Sequence, residues 1–458
     1  MMFAIPGLLT LAAALGAAPP SSNLVISPCD AGEHYQFEVV ECPIELKNNG
    51  KTDLHVSKAR TRYTWDDIDR GTIVVPAGGV AYINAKVDVR NSEGRTVRPF
   101  AFDVDEPGNT RRGSEVRVFA LSVLDQAKPT LDFGVVKVED EMPERSITLT
   151  SREVAGFRFT GVKSKPDWLD VRIGDDGRTV VAQFKKSAPF GVIAHDDFVK
   201  LTIDSPKQKE AWVEINALVL GDVVADGNPF QLGLLRKGTK HEFLVRVSSR
   251  SGKPVKLGDV TLESIKGSAK PEPCTPAAPS CQLVRVEVSD ENPASKLEGK
   301  LKIDLPEAGK PLPIDLVGVL INADTKIHDM DELMSQSGAQ SRTEKPADSV
   351  SLQSAIKSAF REAEPPPPGT GPLLKWSAAH QDTIYGYVIY RADAASGPFL
   401  RVNREIIRTV EEGSDKSGSY QWRDNEVQSG KTYWYSIGVI NRNGSRQDLS
   451  GAQKVVAK

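Results

Sequence analysis

Four cysteines, six histidines and a few short acidic runs are the residues of this 458-residue chain suited to metal, redox or acid–base chemistry. Cys29 and Cys42 flank one short segment, and Cys274 and Cys281 flank Thr-Pro-Ala-Ala-Pro-Ser. That spacing points to two local disulfides, although four cysteines leave three pairings open. Zinc is the rival. Neither pair has Cys-x-x-Cys spacing and the histidines are scattered, so disulfides formed in an oxidising compartment are favoured. A nucleophilic cysteine is weaker still. Each bridge would close a small loop, so the expectation is that it pins a loop without carrying the fold.

Asp66-Asp67-Ile68-Asp69-Arg70-Gly71 has the look of a cation loop but lacks the later Glu of an EF-hand; a solvated turn is expected. His195-Asp196-Asp197 has no serine or cysteine nucleophile to serve and is expected in a polar loop. Asn443-Gly444-Ser445 has acceptor-sequon spacing, which turn chemistry explains equally well. Nucleophile-elbow, Walker, His-Glu-x-x-His and dinucleotide-binding motifs are missing. No catalytic residue, metal ligand or cofactor is therefore assigned, and an enzyme is not expected.

The elements that position these residues are short strands. Ile384-Tyr385-Gly386-Tyr387-Val388-Ile389-Tyr390-Arg391 is rich in aromatic and β-branched residues, as a half-buried strand requires. In Thr432-Tyr433-Trp434-Tyr435-Ser436-Ile437-Gly438-Val439 the period of two sets Tyr433, Tyr435, Ile437 and Val439 on one face. Trp434 then faces away, and Trp422 precedes the turn into that strand. Together Trp422 and Trp434 are a candidate flat platform for a sugar ring or a partner. Against this stands a core-edge place for Trp422 and an arginine stem packed on Trp434.

This stretch, 371–458, resembles the fibronectin type III family. Trp376 matches the core tryptophan of the second strand, and Tyr433, three residues after Gly430, matches the tyrosine-corner position. The resemblance implies a seven-stranded sandwich. It implies no ligand, because function lives in sites grafted on folds.

Upstream, three segments end alike, in Val123-Leu124, Val219-Leu220 and Val319-Leu320. Their spacing, 220 − 124 = 96 and 320 − 220 = 100 residues, is the length of an Ig-like sandwich. Pro129-Thr130-Leu131-Asp132-Phe133-Gly134 and Pro229-Phe230-Gln231-Leu232-Gly233 then open the next unit. Asn48-Asn49-Gly50 with Val75-Pro76-Ala77-Gly78-Gly79, and Pro166-Asp167-Trp168-Leu169 with Asp175-Asp176-Gly177, resemble the tandem Ig-like repeats of exported bacterial proteins, of the PapD-like and cilia-associated sandwich class. The Cys-Gly-Cys element of that repeat is replaced by Arg60-Thr61-Arg62-Tyr63-Thr64-Trp65-Asp66, so a metal or redox role for it is not implied.

The expected organisation is a signal peptide at 1–18, Ig-like modules at 24–126, 127–221 and 222–322, a helical and Pro-rich linker at 323–370 and a fibronectin type III domain at 371–458. The apolar, small-residue start fits a secretory segment, although it lacks a basic n-region. The linker shows an apolar helical stripe at Leu352, Ala355, Ile356, Ala359, Phe360 and Ala363, followed by Pro365-Pro366-Pro367-Pro368. With 58 basic against 61 acidic residues, nucleic acid is not the expected partner. No membrane span is expected after signal cleavage.

The sequence thus supports an all-β, exported protein of four sandwiches, periplasmic or extracellular. The last module is expected as a displayed tip beyond a rod of three. The expected function is non-catalytic binding or scaffolding at the bacterial envelope, with an envelope or surface protein, or a polysaccharide, as partner. Two alternatives are a polysaccharide-binding accessory and a chaperone-like factor for surface structures.

Overall fold

A computed structural model describes residues 22–106, 108, 110–193, 197–323, 366–378, 381–409 and 418–457. The signal peptide expected at 1–18, His195-Asp196 and the apolar stripe expected in the linker lie outside these residues. Every element among them is a β-strand. The strands pair into eight sheets, which face each other two by two as four sandwiches over 24–121, 130–220, 223–321 and 373–456. The protein is all-β.

The strands form where the period of two is strict. Burial alternates along Val39–Asn48 and, residue by residue, along Glu210–Leu220. Each such strand lays one apolar face on the opposing sheet. In the first sandwich, one sheet runs Leu24–Ser27, Val39–Asn48, Val80–Asp88, Asp67–Ile68. The other runs Cys29–Tyr35, Arg111–Leu121, Gly94–Val104, Leu54–Thr61, Ile73–Val75. Ile44, Leu46, Ile83, Phe102 and Val116 fill the space between them.

The three upstream sandwiches share one device. An opening strand lies parallel to the closing strand of the same unit: Cys29–Tyr35 on Arg111–Leu121, Thr130–Lys137 on Glu210–Leu220, and Phe230–Arg236 on Leu312–Ile321. Each opening strand slips register once, beside Gly32, Gly134 or Gly233, where φ is +77°, +62° and +72°. Glycine takes that left-handed conformation without steric cost. In the first two units an aspartate two residues earlier caps the bulge: Asp30 and Asp132 each accept the glycine N–H through Oδ1, at 3.0 and 2.9 Å. In all three units the opening strand thus meets its closing strand in the same way.

Both disulfides join the cysteines nearest in sequence, Cys29 to Cys42 and Cys274 to Cys281. Their structural roles differ. The second closes the turn between the paired strands Gly267–Pro273 and Cys281–Val288, as a loop pin does. The first corrects the loop-pin expectation: Cys29 belongs to one sheet and Cys42, 3% exposed, to the other, so this bridge crosses the sandwich.

The terminal sandwich pairs Leu373–Ala378 with Gly418–Arg423 in a small sheet. Its larger sheet centres on Ile384–Ala392 and Thr432–Asn441. Trp376 is half-buried between the sheets, 5.6 Å from the Tyr387 ring and 5.7 Å from that of Tyr420. Tyr433 is buried, and its hydroxyl accepts the Gln428 backbone N–H at 3.1 Å.

Candidate functional site

The strand Ile384–Ala392 departs from the half-buried expectation. Tyr385, Gly386, Tyr387, Val388, Ile389 and Tyr390 are all buried, which means that both faces of the strand are covered. Tyr387 lies in the core of its own sandwich. Tyr385, Val388 and Tyr390, together with Ile440 and Ile406, belong instead to a cluster with Phe119 and Leu121 of the first sandwich. The terminal sandwich is therefore docked by its larger sheet, and the displayed tip expected from the sequence is corrected. The signal was present: Tyr387-Val388-Ile389-Tyr390 runs apolar without alternation, the pattern of a strand buried on both sides.

The polar centre of the seam is Glu153, a second-sandwich residue whose side chain is 0% exposed. Arg401 Nη1 donates to both its oxygens at 3.2 and 3.3 Å. Arg446 Nη1 lies 3.1 Å from Oε1. Lys207 Nζ donates to Oε2 at 3.1 Å, and the Tyr35 hydroxyl donates to the same oxygen at 3.0 Å. One carboxylate thus gathers Tyr35 of the first sandwich, Lys207 of the second, and Arg401 and Arg446 of the terminal one. Burial by itself pushes the Glu153 carboxyl up. The positive charges of Arg446, Arg401 and Lys207 outweigh it and hold the group down at about 2. An uncompensated carboxylate here would be costly, so the arrangement selects the docked state.

Around this hub the contacts continue. Arg152 reaches Asp125 at 3.3 Å and Asp448 of the terminal sandwich at 2.6 Å, with its guanidinium 4.1 Å from the Tyr390 ring centroid. Arg446 Nη2 donates to the Ser122 carbonyl at 2.7 Å. Backbone joins backbone twice: Arg401 N–H to Arg152 O at 2.8 Å, and Arg95 N–H to Arg442 O at 2.9 Å. Asn443-Gly444, read from sequence as a turn, is one, and it sits on Gly94 closely enough that a β-carbon there would lie 2.2 Å from the Asn443 carbonyl carbon.

The two tryptophans proposed as a platform lie on different sheets, Trp422 in Gly418–Arg423 and Trp434 in Thr432–Asn441, so the joint platform is corrected. Trp434 is half-buried under Lys454, whose Nζ stands 5.9 Å from its ring. Trp422 packs at the core edge and also lines a pocket of about 490 Å³ with Arg404, Glu405, Asn425 and Glu426. The acidic run of the first sandwich is not a solvated turn throughout. Asp66 is 5% exposed, 3.5 Å from Arg98 Nε, and accepts the Asp88 N–H at 3.1 Å. Burial pushes its carboxyl up, and Arg98 pulls it back. Among the described residues no group of His, Cys, Asp and Glu is placed to hold a metal ion, and no helix is long and apolar enough to cross a membrane.

Sequence reasoning missed one aromatic series. Trp65 stacks on Tyr63 at 5.1 Å, Arg90 lies 4.5 Å over Trp65 and 5.8 Å over Trp212, and Lys200 lies 4.4 Å over Trp212. Its members come from two sandwiches, so no local spacing could have gathered them. Trp65 is 38% exposed.

No protein-family model matches the chain, and no curated protein sequence matches it. Solved structures that it resembles are Ig-like and PapD-like sandwich proteins of low identity. A protein of unknown function from Porphyromonas gingivalis W83 is 14% identical, with 43% of this chain and 100% of that one covered and a TM-score of 0.20. PapD-like domain 7 of human CEP192 is 11% identical, covering 25% and 96%, at 0.20. The eight N-terminal Ig domains of Down Syndrome Cell Adhesion Molecule are 8% identical, covering 94% and 48%, at 0.17. At this similarity the fold is defined by the chain's own strand pairing.

Proposed function

We propose that this protein is a non-catalytic, exported scaffold of the bacterial cell envelope whose terminal sandwich is a fibronectin type III module held for protein binding. The observation that carries this reading is the Glu153 hub: a buried carboxylate joins three sandwiches and so sets the terminal module's position. A fixed module presents a preorganised surface, which lowers the entropy lost on binding. The Trp376 core position and the Tyr433 hydroxyl on Gln428 N–H support the fibronectin type III assignment. Two disulfides support an oxidising, exported location, periplasmic or extracellular.

The recognition surface in this proposal is the Trp422 pocket, an aromatic wall with a charged and amide rim. The test is affinity capture from envelope extract with wild type, Trp422→Ala and the double variant Arg404→Ala/Glu426→Ala, each checked for unchanged melting. Point variants are needed because deleting the module would bare Phe119, Leu121 and Glu153. Loss of a partner in the pocket variants is expected; retention of every partner would reject the assignment. A polysaccharide ligand is the second reading, favoured by the exposed Trp65 stacked on Tyr63. Its sign is a glycan bound by wild type and lost in Trp65→Ala.

A further inference from the structure

A second pocket, of about 340 Å³, opens in the seam between the first and terminal sandwiches. Its walls include four arginines, Arg95 and Arg117 from the first sandwich and Arg408 and Arg442 from the terminal one, with one carboxylate, Asp30. The stacked rings of Phe119 and Tyr385 also line it. Arg117 is answered by Glu115 at 2.6 Å, and Arg408 by Glu33 at 2.9 Å. Asp30 is engaged by the Gly32 N–H. Arg442 differs. Its Nε and one Nη are buried and have no hydrogen-bond partner.

Two buried guanidinium donors without an acceptor are costly, because each has lost water and gained nothing in return. Nε and an Nη on one edge of a guanidinium are also the pair that grips two oxygens of one anion at once. We propose that this pocket binds a tetrahedral oxyanion, sulfate or phosphate, and that binding turns the Arg442 edge, closed to water without the anion, onto it, with Arg117 assisting. The anion bridges two sandwiches, so binding tightens the docked state of the terminal module. The oxyanion is either free or borne on a polymer, and the same chemistry serves both.

The test uses the full mature chain. Unfolding temperature is measured at matched ionic strength in sodium phosphate, sulfate and chloride, and inorganic phosphate affinity by calorimetric titration. Wild type is expected to melt higher in phosphate and sulfate than in chloride. Arg442→Gln is expected to lose that difference and to bind phosphate at least about tenfold more weakly. In chloride it should melt no lower than wild type, since it removes two unpaired donors. Arg117→Gln, on the half-exposed rim, should lower affinity too, and serves if Arg442→Gln does not fold. Arg145→Gln, an exposed arginine outside the pocket, should match wild type. Equal melting of wild type in the three salts overturns the proposal, as does a phosphate response intact in both pocket variants. Dextran sulfate and uncharged dextran separate the sources. Competition by dextran sulfate that depends on Arg442 supports a polymer-borne group, and competition by inorganic sulfate alone supports the free ion. Dextran sulfate binding that survives Arg442→Gln and Arg117→Gln would reflect general charge attraction and overturn the site.

Discussion

Tyr385 of the terminal sandwich lies flat on Phe119 of the first, ring centroids 3.4 Å apart and planes 7° from parallel. Over the other side of Tyr385 sits Arg408, 3.8 Å from the ring centroid, held there by Glu33 at 2.9 Å. The pair is sealed between two units nearly 270 residues apart in sequence. Phe119→Ala should cost about 3–5 kcal/mol through lost burial and the cavity left behind. A double-mutant cycle with Tyr385→Ala should return a coupling of about 0.5–1.5 kcal/mol. Urea unfolding read on the terminal module supplies both numbers, and zero coupling would rule out the stack as a determinant of docking.

Glu153 makes docking pH-dependent. Its carboxyl sits at about 2 in the folded protein against 4.5 for the ordinary group. A depressed carboxyl contributes stability in full above the ordinary value and loses it as pH falls through the folded one. Wild type should therefore exceed Glu153→Gln in melting temperature near neutrality, and the gap should close as pH is lowered from about 5 to about 2. A gap that stays constant across that window would show that the carboxylate's charge is not what joins the sandwiches.

Two glycines with the same backbone conformation should respond differently to alanine. Gly134 has φ +62° and open space around it, so Gly134→Ala should cost only the left-handed strain, about 1–2 kcal/mol. Gly94 has φ +64° and faces the Asn443 backbone at 2.2 Å from a built β-carbon, so Gly94→Ala must push the terminal sandwich away. Small-angle scattering should show an expanded chain for Gly94→Ala only. Equal, compact profiles for both would mean that the seam accommodates a methyl group.

The disulfides should also separate. Loop entropy alone predicts losses of about 3 kcal/mol for the Cys29–Cys42 bridge and about 2.5 kcal/mol for Cys274–Cys281. The first crosses between sheets with Cys42 in the core, so Cys29→Ser/Cys42→Ser should lower the first sandwich's melting by clearly more than Cys274→Ser/Cys281→Ser lowers the third's. Calorimetry decides, and equal losses would reduce the first bridge to a loop pin.

Much of the fold is legible in the chain because strand-making is local. Alternation along Glu210–Leu220 marks its buried face, and the glycine of each opening strand marks its bulge. Cysteine spacing indicates the local pairing, and Gly430 with Tyr433 marks the start of a strand whose tyrosine then caps Gln428. Trp422 was legible as a candidate, yet its separation from Trp434 depends on which sheet each strand joins. Asp66 looked solvated because its partner Arg98 lies far along the chain on Gly94–Val104, in the sheet opposite the strand Asp67–Ile68 that Asp66 precedes.

By itself the sequence determined an all-β sandwich fold and pointed to two short-range disulfides, since period-two burial, turn glycines and cysteine spacing all act over a few residues. Only the tertiary structure decided that the last sandwich folds back onto the first two. That decision rests on Glu153, whose charge is stable in the interior only when Lys207, Arg401 and Arg446 converge on it. It rests equally on the outer faces of Tyr385, Val388 and Tyr390, which find their cover on a different unit of the chain. Charge compensation and apolar cover between distant segments depend on where whole sheets meet, and no local pattern of residues encodes that meeting.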